Sequence, residues 1–512
     1  MLRNGSWDRA CVAFHAAAED ARCAAAQWRA AQICRDQSTP SVVRDYYGRA
    51  SQLRASLSEH DAQLLDAFAP WFATAVPDRP EVARRLFALA ARRPDDAEVL
   101  LEAALTSLDT RLEEMLRLAN HASELDPGYS DALQLAATLE AGRGNVDAAR
   151  SILTRCIEHI PTSSDCVQSL RLIESEEGHC ADAERLDRMI VARARDGAAG
   201  YHFLLDSSAS NGATPEALEI LVRQLGARSS TADVPDPEPY VAALLAWYRG
   251  DAVAALREAE RYEQSIAASD DIEPHARAAL LRVRILHELG READARRVAM
   301  QYLSRVSAWQ ATLSFGWQNV SVSDGEPTLA RTVVAGPPGP DREIASRALQ
   351  AWVDRHLRSI GAEGPHLIVY AAAAVDAATA EAAWTHIRPG TTGRTHFGSY
   401  ALPATVLDHV GRALLLSSHV TEAIPYLDRA IVQCNRFADP FGLIDAGLLL
   451  ADARHLAHDE RASCGALRTV TARFGHVRPE IVSVRLARSR MAAQSCDRLD
   501  DDGGSSSRGR RE

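Results

Sequence analysis

The chain has 512 residues and a formal net charge of −12, and all 57 of its basic residues are arginine. The absence of lysine excludes P-loop nucleotide binding, protein-kinase catalysis and pyridoxal chemistry, each of which depends on a lysine side chain. Arginines interspersed among Asp and Glu indicate solvated helix faces and argue against a nucleic-acid binder, which would concentrate positive charge.

The amino-acid usage favours helices. Apolar residues make up 46% of the chain, alanine is the commonest of them, and aromatic residues reach only 6%. Alanine is the best helix former because it loses no side-chain entropy in a helix. No apolar run approaches the roughly 20 residues that cross a bilayer, so no membrane insertion is predicted. Nine cysteines without a C-x-x-C pair predict reduced thiols and a cytoplasmic location.

The first residues carry the pattern of the second half of a helix pair. Gly5 is predicted to be a turn glycine, followed by a helix with Ala10, Phe14 and Ala17 on its apolar face. A second helix without its mate exposes an apolar face, which terminal repeats normally avoid. We therefore expect the chain to be the C-terminal part of a longer ancestral protein, or its start codon to be misassigned. The alternative is that this helix packs as a cap.

A 34-residue repeat follows. Gly144, Gly178 and Gly212 lie 34 residues apart, which is the period of tetratricopeptide (TPR) units, each a helix–turn–helix. The clearest copy spans residues 130–163, with apolar or small residues at helical spacing on both sides of Gly144 and Pro161 at its end. One such pair cannot bury its apolar stripe alone, so neighbouring pairs must stack.

Related copies precede and follow this unit. The copy at 96–129 has Thr110 in place of the turn glycine, and later copies turn at Gly250 and Gly290 with longer spacings. Residues 1–303 are therefore predicted to be N-terminal TPR-like repeats. Residues 304–343 are predicted to be an irregular linker because of the Gly-Pro-Pro-Gly-Pro run at 336–340.

Helical periodicity resumes after the predicted linker. Residues 344–498 are predicted to form a C-terminal TPR-like helical region, interrupted by a loop at 388–398. Residues 499–512, rich in Asp, Gly and Ser, are predicted to be a disordered tail. The predicted fold class is thus all-α, a TPR-like α-solenoid of stacked antiparallel helix pairs.

Four stretches of this sequence resemble the C-terminal helical repeat region of large bacterial eukaryotic-like serine/threonine kinases. They are Leu57-Ser58-Glu59-His60-Asp61 with Leu64-Leu65-Asp66-Ala67 and Pro70; Arg93-Pro94-Asp95-Asp96-Ala97-Glu98; Leu125-Asp126-Pro127-Gly128-Tyr129 with Asp131-Ala132-Leu133; and Phe474-Gly475-His476 with Arg478-Pro479. In that family the repeats follow a kinase domain and often a membrane segment, and are thought of as sensory or partner-binding parts. The resemblance therefore implies a regulatory or docking role.

The resemblance does not carry over catalysis. The sequence has no Gly-rich loop, no strand lysine and no His-Arg-Asp, and Pro440 interrupts the superficially kinase-like Asp-Phe-Gly at 439–442. We expect the chain not to be an enzyme and to need no cofactor. A weaker alternative is a hydrolase hidden in the irregular region at 304–400.

Several clusters of reactive side chains were weighed as sites. Cys156 and Cys166 could approach disulfide distance across a short turn, whereas three buried reduced thiols, with Cys180, are the expected arrangement. His455 and His458 are expected to lie in a polar turn rather than a metal site. His386, His396 and His409 are expected to lie in a solvated loop rather than a catalytic site. The large aromatics are expected to fill the core rather than line a peptide groove: Trp247, Tyr248, Trp309, Phe315 and Trp317.

The predicted function is a non-enzymatic scaffold or sensor that binds a protein or peptide on its concave face. First helices line that face in TPR proteins, so helical position selects candidate binding residues: Gln134, Thr138, Gln168, Arg171 and Ser175. No nucleic-acid partner and no metal are expected. The alternative is the regulatory C-terminal part of a bacterial serine/threonine kinase whose catalytic domain is absent from this chain.

Overall fold

A computed structural model gives the fold of the chain. It describes residues 7–20, 22–35, 38, 40–72, 77–106, 112–193, 198–228, 238–269, 272–310, 325–360, 366–386 and 404–497. Residues 499–512, predicted to be a disordered tail, lie outside the described part of the chain, as does the predicted turn glycine Gly5.

The described residues form 27 α-helices. The first nine are α1 Trp7–Ala17, α2 Ala24–Ile33, α3 Pro40–Gln52, α4 Glu59–Ala67, α5 Ala69–Phe72, α6 Arg79–Arg92, α7 Ala97–Thr106, α8 Leu112–Leu125 and α9 Ser130–Gly142. The next nine are α10 Val146–His159, α11 Ser164–Glu176, α12 Cys180–Arg193, α13 Ala198–Ser210, α14 Pro215–Arg228, α15 Glu238–Tyr248, α16 Ala252–Ser265, α17 Ile272–Glu288 and α18 Glu292–Gln310. The last nine are α19 Gly325–Val334, α20 Pro340–Ile360, α21 His366–Ala373, α22 Ala377–Trp384, α23 Ala404–Leu416, α24 Val420–Val432, α25 Pro440–Leu456, α26 Glu460–Phe474 and α27 Val482–Ala493.

Each helix packs mainly on the next one along the chain. Closely packed pairs within a repeat include α7 with α8, α9 with α10, α11 with α12, α15 with α16, α17 with α18, α23 with α24 and α25 with α26, and α12 with α13 and α24 with α25 pack as closely between repeats. Where the connection within a pair is described, a short turn joins its two helices, so they run antiparallel. Within the described residues there is no β-strand, only an isolated bridge between Asp251 and Arg478. The prediction of an all-α, TPR-like α-solenoid is confirmed.

The turn glycines adopt the left-handed backbone that the sequence predicts. Gly144, Gly178, Gly212, Gly250 and Gly290 have φ between 72° and 90°, a region that residues with a Cβ rarely enter. In each turn the residue after the glycine donates its amide to a carbonyl near the end of the first helix, as Asn145 does to Glu140 at 2.9 Å. These bonds satisfy carbonyls that the helix end leaves free.

Two C-terminal turns use other residues at the same place. Ser418, between α23 and α24, has φ of 65°, and His458, between α25 and α26, has φ of 60°. Both turns keep the amide-to-carbonyl bond of the glycine turns, from His419 to Leu414 and from Asp459 to Arg454 at 2.8 Å. The repeat geometry is therefore common to both halves of the chain.

Small residues allow the paired helices to approach closely. Ala137 and Ala149, which the sequence places at the crossing of α9 and α10, are fully buried, as are Leu153 and Cys156. Buried apolar side chains form three large clusters, which extend from Ala10 to Leu139, from Ala137 to Ile190 and from Tyr201 to Ala487. Burial of a side chain such as Leu153 stabilises the fold by about 1.5–3 kcal/mol.

The predicted linker at 304–343 contains two ordered helical stretches, which corrects that boundary. α18 continues to Gln310, and α19 occupies Gly325–Val334, where Leu329 and Ala330 are fully buried against the third cluster. The Gly-Pro run at 336–340 forms the turn between α19 and α20, and its last residue, Pro340, begins α20. The prediction was wrong because a ten-residue helix between turn-forming residues offers too short a periodic pattern to detect.

The C-terminal helices return to the turns of earlier repeats. The amide of Cys434 donates to Ser175 at 3.1 Å, and the amide of Ala438 donates to the Asp206 carboxylate at 2.6 Å. Arg429 forms an ion pair with Glu176. The segment comprising residues 429–439, called here the return segment, therefore lies on the α11 and α13 repeats.

A second set of contacts continues this arrangement along the next repeats. The amide of Arg478 donates to Gly250 at 2.6 Å, and Ala252 donates back to Arg478 at 3.1 Å. Further along, the Ser483 hydroxyl donates to buried Glu288 at 2.7 Å. The superhelix has thus turned back onto itself six helix pairs after α11 and α12. The C-terminal helices and their connections cover the turns of these earlier repeats.

The cysteines are paired, which corrects the expectation of reduced thiols. Disulfides join Cys11 to Cys34, Cys156 to Cys166, Cys180 to Cys434, and Cys464 to Cys496, and Cys23 is free. Stacking of neighbouring helices brings together Cys11 with Cys34, Cys156 with Cys166, and Cys464 with Cys496, whereas Cys180 meets Cys434 through the return segment. The cytoplasmic location predicted from free thiols loses its basis, because disulfides persist in oxidising compartments.

Candidate functional site

The five residues predicted to bind a partner do not share one open surface. Gln168 is exposed, while Gln134 and Thr138 are half-buried. The Gln134 amide donates to Ser169 at 3.0 Å, which ties it to the neighbouring first helix. Arg171 and Ser175 are buried, with exposed fractions of 6% and 8%.

Arg171 and Ser175 have structural partners. The Arg171 guanidinium forms a 3.0 Å ion pair with fully buried Asp187 and lies over the ring of Phe203 at 4.4 Å. The Ser175 carbonyl accepts the amide of Cys434 in the return segment. Helical position alone selected these two residues, but Arg171 is covered by repeat stacking and Ser175 contacts the return segment.

The other weighed clusters have local roles in the described residues. His458 is the left-handed turn residue between α25 and α26, and His455 hydrogen-bonds Glu460 at 2.9 Å. Buried His409 lies 2.8 Å from the Arg331 guanidinium, while His396 lies outside the described residues. His455 and His458 agree with the expected polar turn, whereas His409, expected in a solvated loop, is buried within α23 beside Leu407 and Val410.

The large aromatics are likewise part of the core where the structure describes them. Trp247 is buried and packs on Phe441 at a centroid distance of 4.7 Å, and the Tyr248 hydroxyl donates to Ala213 at 2.8 Å. The side chain of Trp309, and Phe315 and Trp317 entirely, lie outside the described part of the chain.

An open cleft of about 990 Å³ lies at the N-terminal repeats. Its walls come from α2, α4, α7, the α6–α7 turn and the residues before α9. Its lining is mostly charged or polar: Arg29, Gln32, Ile33, His60, Arg92, Arg93, Pro94, Asp95, Asp96, Ala97, Glu98, Glu102, Leu125, Asp126 and Tyr129. The helices α2, α4 and α7 are the first members of their pairs, so the cleft occupies the inner, first-helix face.

Three of the four stretches that resemble the kinase-associated repeats meet in this cleft. His60 comes from the stretch at 57–61, six lining residues come from 93–98, and three, including Tyr129, come from 125–129. They are separated by about one repeat each in the sequence and become neighbours through helix stacking. Sequence reasoning noted each stretch but did not place them together.

The floor of the cleft is a network of ion pairs. Arg29 bridges Glu98 and Asp61, its contact with Asp61 being 2.8 Å. Gln32 donates to Glu102 at 2.8 Å, and Glu102 also accepts from Arg35 at 3.3 Å. Because each partly buried charge has an opposite partner, the network holds α2 and α7 in a fixed relation.

The electric field in the cleft favours positive charge. Hydrogen bonds to Asp61 and Asp96 raise the pKa of His60 to about 9. Burial opposes the charge of Arg29, yet Glu98 and Asp61 hold its pKa above the usual value. Burial and then Glu98 raise the pKa of Tyr129. At neutral pH His60 is therefore an imidazolium and Tyr129 keeps its proton.

The rim of the cleft differs from its floor. Arg92, Asp95 and Leu125 are exposed, so they offer a donor, an acceptor and an apolar contact outside the paired network. A small set of polar groups around a concave surface is what a binding site needs to orient a ligand. The arrangement can hold an extended segment of another molecule by hydrogen bonds and charge.

Comparisons with known proteins add little to this description. No protein-family model and no curated protein matches the sequence. Among solved structures, the chain is similar to one of Naa15/Naa10 bound to HypK-THB, at 14% identity and a TM-score of 0.27, covering 81% of this chain and 64% of that one. The chain thus spans less than two thirds of that protein.

Two other similar structures contain IFIT1. A human IFIT1 dimer with PPP-AAAA is 11% identical with a TM-score of 0.31, covering 83% of this chain and 86% of that one. A monomeric IFIT1 mutant with m7Gppp-AAAA is 11% identical with a TM-score of 0.29, covering 79% and 80%. The assignment of the fold rests on the helix pairs described above.

Across the described ranges, none of the helices combines the length and the apolar character that crossing a membrane requires.

Proposed function

We propose that this chain is a non-enzymatic scaffold or sensor that binds a protein or peptide in the N-terminal cleft. The observation that carries the proposal is the meeting of three separate sequence stretches, around His60, Asp96 and Tyr129, at one open cleft on the first-helix face. A preformed floor reduces the ordering that a partner must bring about on binding. Neither a metal nor a cofactor enters this proposal, and no nucleic-acid partner does.

The partner's chemistry follows from the rim and the floor. The paired charges of the floor, such as Arg29 with Glu98, position the walls, while exposed Arg92 and Asp95 offer charge-assisted hydrogen bonds. Leu125 adds apolar area beside them. An extended peptide with alternating polar and apolar side chains matches this surface, and its affinity is expected to be modest.

To test this, the purified, disulfide-bonded chain is immobilised and used to select peptides from a random display library. The dissociation constants of the selected peptides are then measured by calorimetry. The rim variant carries Arg92→Ala, Asp95→Ala and Leu125→Ala, which leave the ion-pair network intact. We expect it to bind the selected peptides about tenfold more weakly, since tenfold corresponds to only 1.4 kcal/mol.

A matched control carries three changes of the same types on exposed second-helix positions: Arg185→Ala, Asp182→Ala and Val253→Ala. It should bind the peptides as the parent does. Failure to enrich any peptide, or equal affinity for the rim and control variants, would end the proposal. Turnover of ester or amide substrates by the purified chain would contradict its non-enzymatic part.

The second candidate is the regulatory C-terminal part of a bacterial serine/threonine kinase. Two observations favour it: the four resembling stretches, and the four disulfides, which suit the sensory side of such a protein. On this candidate the chain works in an oxidising compartment. An in-frame kinase domain upstream of Met1 in the gene would support it, and a separate, complete gene would count against it.

A further inference from the structure

The four disulfides differ in what they connect. Three of them close short stretches, with sequence separations of 10, 23 and 32 residues. Cys180–Cys434 instead joins residues 254 apart and fastens the return segment to the first residue of α12. A cross-link over so long a stretch constrains the chain much more than the other three do.

The four disulfides also differ in burial. Both cysteines are fully buried in the pairs Cys156–Cys166 and Cys464–Cys496, and Cys11–Cys34 has exposed fractions of 5% and 0%. Cys180 is half-buried, although its partner Cys434 is fully buried. Cys180 is therefore the most exposed of the eight paired cysteines, and we expect a thiol reagent in solution to attack this pair first.

The contacts on either side of this disulfide are mainly polar. Arg429 pairs with Glu176, and backbone amides of the return segment donate to the Ser175 carbonyl, the Ser210 hydroxyl and the Asp206 carboxylate. Hydrogen bonds of this kind exchange with water at a net cost of about 1 kcal/mol each. Beside the disulfide and these polar contacts, the return segment has one buried aromatic side chain, Phe437, which is 3% exposed and lies 6.4 Å from the ring of Tyr248.

We infer that Cys180–Cys434 is a redox latch, which a dithiol reductant opens selectively to release the return segment from the α11 and α13 repeats. One thiolate of the reductant attacks the Cys180 sulfur, and the Cys434 thiolate leaves. The second thiol of the reductant then resolves the mixed disulfide. Two electrons pass to the protein cysteines, which end as two thiols, and the reductant ends as a disulfide.

Release would uncover the α11 face that the sequence predicts to bind a partner. Ser175 loses its bond to Cys434, Glu176 loses Arg429, and exposed Gln168 lies on the same helix. In the oxidised chain that face is closed and the N-terminal cleft is open. The latch is independent of the cleft, since it involves none of the cleft residues.

The first measurement is the order in which the disulfides are reduced. Free Cys23 is blocked in advance, the chain is treated with increasing dithiothreitol under native conditions, and new thiols are trapped with a maleimide and mapped by mass spectrometry. Cys180 and Cys434 should be labelled about tenfold faster than the other three pairs. Equal labelling rates for all four pairs would overturn the inference.

The second measurement is hydrogen exchange of the partly reduced, trapped chain. Protection of residues 171–180 and 429–439 should fall about tenfold, with α7 and α9 unchanged. The variant with Cys180→Ser and Cys434→Ser should reproduce this in the absence of reductant, and Cys464→Ser with Cys496→Ser is the matched control. If a variant does not fold, the trapped parent chain decides. Unchanged protection in both segments after reduction would equally overturn the inference.

Discussion

The N-terminal and central repeats are built from the same kind of helix pair, but their first-helix faces differ in what covers them. In the repeats from α2 to α9 the first-helix face is open and forms the cleft around His60 and Tyr129. From α11 to α17 the turns and inner face are covered by residues from Arg429 to Ser483 of the same chain. What a TPR-like unit binds is therefore set by which segment reaches it, not by the unit itself.

The charged groups of the two regions differ accordingly. On the cleft floor the carboxylates of Asp61, Asp96, Glu98 and Glu102 have arginine or histidine partners, and Asp61 and Asp96 have lowered pKa values. Under the return segment, burial raises the pKa of Asp206 to about 7, and burial also raises that of Glu288 beside Ser483. The first region keeps its charges available, whereas the second favours their neutral forms.

The largest expected effect comes from the buried arginine of α11. Arg171→Ala leaves fully buried Asp187 without its guanidinium partner. An uncompensated buried charge costs about 3–5 kcal/mol, so the urea midpoint of the central repeats should fall sharply. Gln168→Ala, on the exposed side of the same helix, should change stability by less than about 0.5 kcal/mol. If both variants lost similarly little stability, Arg171 would not be buried against Asp187, and the first-helix face of α11 would be as accessible to solvent as the N-terminal cleft.

Two turn glycines isolate the contribution of the returning chain. Gly212 and Gly250 have φ of 90° and 87°, but a Cβ on Gly212 meets nothing within 4 Å, whereas one on Gly250 lies 2.9 Å from the His476 carbonyl oxygen. Gly212→Ala should cost about 1–2 kcal/mol through backbone strain alone. Gly250→Ala should cost about 1–3 kcal/mol more, through the clash.

Thermal unfolding of these two variants measures the difference. Hydrogen exchange of residues 474–478 should increase in Gly250→Ala and stay unchanged in Gly212→Ala. Equal midpoints would mean that the contact between the Gly250 turn and His476 is loose in solution.

The third test uses pH at Asp206. Its folded pKa of about 7 is above the ordinary aspartate pKa of 3.8, so the folded state binds a proton more tightly than the unfolded state. Stability therefore falls as pH rises from about 4 to about 7, by at most about 1.4 kcal/mol per pH unit. Asp206→Asn should remove this slope and be more stable than the parent at pH 8. A parent chain with no such slope in its urea midpoint would contradict the burial of Asp206 under Ala438.

The smallest effect is expected at His60 in the cleft. Its pKa, raised from 6.5 to about 9 by Asp61 and Asp96, makes a contribution that is complete below pH 6.5 and lost as pH rises through 9. Since about a quarter of the side chain is exposed, His60→Gln should cost only about 0.5–1 kcal/mol at pH 6 and close to nothing at pH 10. The NMR titration of the His60 ring measures the pKa directly. A midpoint near 6.5 would show that His60 does not pair with Asp61 and Asp96.

The repeat was predictable from the sequence because its signals are local. Gly144, Gly178 and Gly212 mark turns at a fixed step, and the apolar spacing around them lies within one helix pair. The same locality explains why Cys156 and Cys166 could be recognised as neighbours. α19 was missed because its ten residues lie between turn-forming stretches.

Two features were not predictable in this way: the return of the superhelix onto its earlier repeats, and the N-terminal cleft. Cys180 and Cys434 are 254 residues apart, and no local pattern says that the return segment lies on α11. Arg171 and Ser175 were chosen by helical position, which gives the face of a helix but not what covers it. The cleft combines residues from three repeats, whose meeting depends on how the pairs stack.

The contact of Arg478 with Gly250 has a consequence for how this array can evolve. Open solenoids tolerate the gain or loss of a unit, because each unit touches only its neighbours. Here one 34-residue unit removed between α12 and α24 would bring Cys434 opposite the wrong turn, and a unit removed between α17 and α24 would also separate Ser483 from Glu288. The number of units in that stretch is therefore fixed by geometry, as the number of strands is in a closed barrel.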